Sequence, residues 1–307
     1  MTLRVTFLGT SAAIPTTGRN PSGLMVNREG NLLLFDVGEG TQRQMMRYGT
    51  GFGVSDVFIS HLHGDHVFGL PGLLQTWDFT DRTDPLTIHV PVGTADRLRT
   101  VAFALDGRPS FPVSVTEHEP GSVALAGDGY DVRTIATAHR TRSIGYVLTE
   151  DARKGRFDRE RAEALGVPVG PKFSQLHEGR SVELEDGTVV DPEQVVGPPR
   201  PGRTIAYTGD TRPVEAVIDA ATDADLLIHD ATFTTDRSDR ARDTAHSTAK
   251  DAGYIADRAN VDHLVLTHIS SRYPDASQHA AEASAVFDGT VTVAADGLEL
   301  DVPYPDD

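Results

Sequence analysis

Short apolar runs, separated by glycine, proline and charged residues, set the rhythm of this chain. Residues 3–8, 31–35, 56–60, 86–90, 130–135 and 144–148 are rich in β-branched and aromatic side chains and predict strands. After a break, residues 204–208, 225–229, 263–267 and 291–293 predict four more. Apolar residues at three- and four-residue spacing predict helices over 40–48, 71–79, 213–221, 247–259 and 277–287, with Ser247 and Ser277 placed to cap the last two. Strands first cluster without helices and later alternate with them. A two-sheet core flanked by helices fits that order better than a single doubly wound sheet. At 307 residues the length allows one large α/β domain or two fused halves.

The break, residues 151–201, differs in character. It opens with Arg153, Lys154, Arg156, Arg159 and Arg161, continues through Gly166-Val167-Pro168-Val169-Gly170-Pro171-Lys172, and contains a hairpin pattern turning at Asp186-Gly187. This predicts a small protruding insertion. Its cationic start argues for contact with phosphates, against the alternative of a decorated surface loop. No internal repeat or glycine-rich phosphate fingerprint stands out.

The chain has no cysteine, so disulfides and thiolate ligands are excluded, and any metal must be held by imidazole and carboxylate. No apolar run approaches the roughly 20 residues of a membrane span, and the first residues enter a strand without a basic leader; a cytoplasmic protein is expected. The formal charge of −17 is unusual for a nucleic-acid protein. Only Lys154, Lys172 and Lys250 are lysines, and acids are spread throughout, a composition resembling that of proteins from salt-loving organisms. At molar salt the Debye length falls to about 3 Å, so diffuse negative charge does not exclude RNA. An acidic enzyme with a small-molecule substrate is the alternative that charge alone favours.

The chemistry concentrates in His61-Leu62-His63-Gly64-Asp65-His66, just past a predicted strand. Four ligand-type side chains in one turn, buried without a cation, would leave polar groups unpaired. His139, Asp210 and His268 each lie just beyond another predicted strand, where one sheet edge gathers loops. Two divalent ions then have enough ligands: His61, His63 and His139 for one, Asp65, His66 and His268 for the other, with Asp210 bridging. Such a bridge holds ions about 3.5–4 Å apart, close enough for both to act on one phosphoryl group. Asp36, at a strand end, reads either as a residue orienting a ligand or as a simple turn aspartate. His89, His118, His177, His263 and His279 have no partner cluster in the sequence and read as structural or exposed.

These ligand positions resemble the metallo-β-lactamase superfamily, and within it the chain is similar to the ribonuclease Z family of transfer RNA 3′ endonucleases. The similarity is carried by Gly9-Thr10-Ser11-Ala12, Asp36-Val37-Gly38-Glu39-Gly40, Gly69-Leu70-Pro71-Gly72, Gly209-Asp210-Thr211-Arg212, the Gly-Pro segment of the insertion, and Ala245-His246-Ser247-Thr248. The resemblance implies a four-layer αββα sandwich over residues 1–307, with a flexible arm at 151–201 for gripping transfer RNA. It implies two zinc ions per subunit, manganese and iron being compatible with the same donors, and a homodimer. The substrate would be a precursor transfer RNA, cut to a 3′-hydroxyl on the transfer RNA and a 5′-phosphate on the trailer.

Asp65 would orient the attacking water and accept its proton, and His246 would protonate the leaving oxygen. The family supports this histidine with a glutamate; here the loop reads His229-Asp230-Ala231-Thr232, giving the role to the shorter Asp230. A Pro-x-Lys-x-Arg-Asn loop is represented by Pro15 to Asn20 with Thr17 in place of lysine, leaving Arg19 and Asn20 as substrate contacts beside Arg153, Lys154, Arg156, Arg159, Arg161 and Lys172 of the arm. A superfamily hydrolase acting on a small phosphodiester, thioester or sulfate ester is the alternative enzyme, and an RNA-binding subunit with a decayed site is the non-enzymatic one.

Overall fold

Along the strand Leu3–Gly9, Leu3, Val5 and Phe7 point into one apolar layer and Leu8 into another. That alternation recurs and builds the architecture, because a strand apolar on both faces must be covered on both. The computed structural model describes residues 2–104 and 108–306. It divides into two units, Met1–Thr149 with Arg203–Pro303, and Glu150–Gly202 with Tyr304–Asp307.

The first unit contains two seven-stranded sheets. One runs in the order Glu299–Asp301, Leu3–Gly9, Gly23–Arg28, Asn31–Val37, Val54–Phe58, Leu86–Pro91, Val113–His118. The other runs Thr290–Val293, His263–Thr267, Leu226–Asp230, Thr204–Tyr207, Ile144–Glu150, Tyr130–Ala136, Val123–Gly127. Leu3, Val5, Phe35 and Phe58 of the first sheet share a core with Val132, Tyr146, Ile205 and Val265 of the second. Helices Thr41–Tyr48 and Leu70–Phe79 cover the outer face of the first sheet, and Glu215–Ala220, Ala249–Arg258 and Ser277–Ser284 that of the second. The layers are therefore helix, sheet, sheet, helix, the metallo-β-lactamase sandwich.

Several local expectations are corrected. The strands Gly23–Arg28, Val113–His118, Val123–Gly127 and Glu299–Asp301 and the helices Ala95–Ala102 and Ser238–Thr244 are additional. Ser247 is not a cap: its buried hydroxyl donates to the Thr211 carbonyl at 2.8 Å, and Thr248 caps Ala249–Arg258 through a reciprocal box with Asp251. Ser277 is the first helical residue rather than the cap, its hydroxyl turned to Asp275.

The second unit has its own small core of Ala162, Val167, Leu176, Val182, Val190 and Val195. Two helices, Arg159–Ala164 and Pro171–His177, and the hairpin of Val182–Glu183 with Val189–Val190 surround it; Gly187 supplies the positive φ of 83° its turn requires. Its charge is balanced rather than basic, with eight arginines and lysines against ten acids over residues 151–201. Asp306 pairs with Arg153, Arg156 and Arg200, and Arg153 also lies over the Tyr304 ring. Arg159 pairs with Glu163, and Arg161 and Lys172 donate to the carbonyls of Gln194 and Glu183. Lys154 is exposed and has no such partner among the described residues.

Candidate metal centre

Three parallel strands, Thr204–Tyr207, Leu226–Asp230 and His263–Thr267, end side by side in register, so the residues leaving them emerge along one edge. Asp210 follows the first after Gly209, Asp230 closes the second, and His268 follows the third. Across from them, His61 follows the strand Val54–Phe58, and His63 starts the one-turn helix Gly64–Val67 that carries Asp65 and His66. His139 follows Tyr130–Ala136. Sharp exits make this convergence possible: Asp36, Gly209, Ala245 and His268 all take positive φ, between 53° and 61°. A Cβ on Gly209 would fall 2.6 Å from Ser60, so only glycine fits there. For His268 the left-handed backbone is a strain that its surroundings must hold.

All seven expected ligands come together. His61, His63, His139 and Asp210 form one group, and Asp65, His66 and His268 a second, with the donor atoms of each group within 4.8 Å of one another. Asp210 faces both: Oδ2 lies 3.5 Å from His61 Nε2, while Oδ1 lies 3.3 Å from both His66 Nε2 and His268 Nε2.

The tautomers are set from outside. His139 Nδ1 donates to the Ala245 carbonyl at 2.8 Å, His61 Nδ1 meets Ser60 Oγ at 3.0 Å, His66 Nδ1 meets Asp36 Oδ2 at 2.7 Å, and His268 Nδ1 meets Thr232 Oγ1 at 2.9 Å. In each ring the other nitrogen faces the cluster. His61 Nε2 and His139 Nε2 thus crowd His63 Nδ1 at 2.9 and 3.1 Å. Three lone pairs at that separation repel unless something positive lies among them, and a tetrahedral zinc with bonds of about 2.0–2.1 Å holds its ligands about 3.3 Å apart. Asp210 Oδ1, buried and without a properly directed donor, is the matching orphan on the other side. The residues fit a pair of divalent cations.

Electrostatics divide the histidines. Burial keeps His61, His63 and His139 below the ordinary imidazole pKa, in the neutral form that a cation would require. Burial also opposes charge on His66, but Asp210, Asp36 and Asp65 outweigh it and raise its pKa well above normal. For Asp210 burial acts upward, and His268, His66 and His61 together hold it well below the carboxylate range; Asp65 is lowered in the same way by His66 and His268.

His246 adjoins the ligand groups, its Nδ1 4.0 Å from Asp210 Oδ2 and its ring against those of His139 and His268; with Asp210, Asp230 and His268 it forms a third group of close donor atoms. Its Nδ1 lies 2.8 Å from Asp230 Oδ2, which is fully buried. Burial lowers the pKa of His246, but the charge and hydrogen bond of Asp230 prevail and lift it to about 9. Asp36 accepts four donors, Ser60 N, Ser60 Oγ, Tyr207 OH and His66 Nδ1, all at 2.7 Å, and is therefore more than a turn residue. Arg19 donates Nη1 to Thr10 Oγ1 and the Ala294 carbonyl, and Asn20 donates Nδ2 to the Glu39 carbonyl, so both brace the loop they lie on.

A cavity of about 600 Å³ opens onto the cluster. Its wall contains Arg140, Arg240 and Arg272, three exposed arginines with no carboxylate partner among the described residues, and none was evident from sequence. Only their adjacency to His139 and His268 could have signalled Arg140 and Arg272. Away from this cavity, His89 and His118 do have partners: His89 bridges His118 Nε2 and Asp56 Oδ1 at 3.0 Å each, a buried chain between neighbouring strands.

Comparison with known proteins places these features in context. A family model described as "Anti-Pycsar protein Apyc1" matches residues 3–107, and one described as "Beta-lactamase superfamily domain" matches residues 193–269. Over its full 307 residues the chain is 64% identical to a ribonuclease Z of Halobacterium salinarum, covering 99% of that protein, and it is 52% identical to a ribonuclease Z of Methanosarcina acetivorans over 98% of this chain and 99% of the other. Among solved structures, the short form of human tRNase Z superposes with a TM-score of 0.69 at 27% identity, covering 98% of this chain and 99% of that one. YhfI from Bacillus subtilis, a metallo-β-lactamase fold protein, gives 0.71 at 20% identity over 98% and 100%.

Proposed function

The chain belongs to the ribonuclease Z family, and from that premise we propose that it is a metal-dependent endoribonuclease that removes the 3′ trailer from precursor transfer RNA. Zinc is the proposed metal, two ions per subunit in a cytoplasmic homodimer. His61, His63 and His139 would hold one ion, Asp65, His66 and His268 the other, and Asp210 both. Bound there, divalent cations lower the pKa of a shared water and neutralise charge on the phosphoryl oxygens.

The chain's own groups do the rest. Asp65 Oδ2 is fixed by the Ala13 amide at 2.8 Å, so its carboxylate is aimed to orient the attacking water and take its proton. As the new P–O bond forms, the bond to the 3′ oxygen breaks. His246 delivers a proton to that oxygen from Nε2, because Asp230 occupies Nδ1. The products are a transfer RNA with a 3′-hydroxyl and a trailer with a 5′-phosphate. Arg19 and Asn20, and in the arm Arg153, Lys154, Arg156, Arg159, Arg161 and Lys172, are proposed substrate contacts; Lys154 is exposed and, among the described residues, has no ion-pair partner to give up.

The observation that carries this reading is the His246–Asp230 pair beside the ligand cluster. An alkoxide leaving group needs a proton that metal ligands do not supply, whereas an ester with an acidic leaving group has no use for one. The test is incubation of a precursor transfer RNA bearing a 3′ trailer with purified protein in high potassium chloride, with and without chelator. Cleavage after the discriminator base by wild type, abolished by chelator and by Asp65→Ala, is expected. A trailer left intact by metal-loaded protein overturns the reading.

A further inference from the structure

Phe68 lies two residues past the ligand turn, in the run Val67-Phe68-Gly69-Leu70, where apolar patterning alone would bury it. Its neighbours comply, Val67 at 2% exposure and Leu70 at 0%. Phe68 instead is 62% exposed and lines the cavity over the metal cluster, together with Ile14 at 57%. Large exposed apolar side chains at a polar site mark a contact with a ligand more often than chance placement.

The ring is held in place. Its amide donates to the Gly64 carbonyl at 2.9 Å, and the side chain packs on the Gly64 backbone so closely that a Cβ there would fall 2.2 Å from a ring carbon. Gly64 separates the ligands His63 and Asp65, so the position of the ring is tied to that of the reacting centre. Among the described residues no aromatic ring or guanidinium stacks on Phe68. Arg140, Arg240 and Arg272 supply cationic groups around the same cavity, in a chain with 45 acids and 28 basic residues.

We propose that Phe68, with Ile14 on the wall of the same cavity, is the stacking platform for an unpaired nucleobase next to the cleaved phosphodiester, the arginines taking the phosphates around it. The inference rests on the endonuclease reading and adds a determinant of specificity to it. A flat apolar surface with cations nearby is how proteins hold single-stranded nucleic acid whatever its sequence, because every base presents a π face. A base still paired in a duplex cannot reach such a ring. The platform therefore selects the single-stranded junction between acceptor stem and trailer rather than the stem.

The test is a double-mutant cycle between protein and substrate. Synthetic precursors carry an abasic nucleotide either at the discriminator position or at the first trailer position, and kcat/KM is measured for wild type, Phe68→Ala and Phe68→Trp. At one of the two positions, loss of the base costs wild type about tenfold, as expected for one base–aromatic stack. Phe68→Ala shows a similar deficit on the intact precursor and little further loss on the abasic one, and Phe68→Trp restores the dependence on the base. Equal abasic penalties in wild type and Phe68→Ala, or none in wild type at either position, overturn the platform and leave the endonuclease standing. Wild type that leaves the intact precursor uncut overturns both. Thermal melting shows whether Phe68→Ala is folded, and the exposure of the ring makes an unchanged midpoint the expected result.

Discussion

Asp230 Oδ2 and His246 Nδ1 lie 2.8 Å apart, and the other oxygen of the same carboxylate accepts from Thr232 N and Oγ1 at 2.9 and 2.7 Å. The aspartate, last residue of the strand Leu226–Asp230, thus reaches the histidine although it is shorter than glutamate. Removing the imidazole in His246→Ala should lower kcat by about 10²–10⁴, the usual worth of a positioned general acid, while metal content measured by elemental analysis stays at the wild-type value. Metal loss in this variant would assign His246 to coordination instead.

The same pair sets an alkaline limit. The pKa of His246 is raised from 6.5 to about 9, so its proton, and the stability it adds, are fully present below pH 6.5 and are lost as pH rises through about 9. In Asp230→Asn the charge that outweighs burial is gone, and the alkaline limb of kcat should move down towards or below 6.5. A limb unchanged by Asp230→Asn would show that another group limits the rate at high pH.

Asp36 predicts an effect one step removed from the metal. It fixes Nδ1 of His66, so Asp36→Asn places an amide N–H against one of its donors and frees the ring to turn. Affinity for the ion held by Asp65, His66 and His268 should fall about 10–100-fold, with little change at the His61, His63 and His139 group. Chelator competition in wild type and variant reads this as one weakened and one intact binding step; two unchanged steps would reduce Asp36 to a turn residue.

The candidate ligands were legible in sequence because spacing alone crowds four of them into six residues, and because His139, Asp210 and His268 follow apolar runs that read as strands. What the sequence hid is what depends on three-dimensional adjacency. Arg140 and Arg272 come singly from separate loops and Arg240 from the helix Ser238–Thr244, and they carry no shared spacing. Phe68 is disguised by the apolar run around it, and the His89–His118 contact depends on the register of two neighbouring strands. Ser247 looked like a cap, but the Thr211 carbonyl takes its hydroxyl. The strands Val113–His118 and Val123–Gly127 were missed because they are partly exposed sheet edges with few large apolar residues, leaving little hydrophobic signal.

The arm gives a prediction about substrate size. Residues 150–202 form a unit with a core of their own, so replacing 151–201 by a short linker should spare the sandwich's two sheets. Precursor cleavage should fall at least a hundredfold through KM, while hydrolysis of a small phosphodiester persists. Parallel loss of both activities, in a variant shown by circular dichroism to be folded, would count against a role for the arm in holding RNA. Lys154→Glu should do part of the same, weakening precursor binding and flattening its salt dependence by about one charge.

His279 sets the acid side of stability. It is fully buried on the helix Ser277–Ser284, neither ring nitrogen makes a well-directed hydrogen bond among the described residues, and the Tyr273 ring stands edge-on at 4.6 Å. Burial, with help from Arg19 and against Glu282, lowers its pKa from 6.5 to about 4. The unfolded chain then takes up a proton that the folded chain refuses, so the stability its neutral form provides is present above pH 6.5 and is lost as pH falls towards 4. The loss should be about 3 kcal/mol, equivalent to about 5 °C in melting midpoint for a protein of this size. Melting curves of wild type and His279→Leu at fixed potassium chloride check it, since the other titrating groups are common to both. Wild type should lose more between pH 6.5 and 4 than the variant, and curves that run parallel across that range would show that His279 releases no such energy.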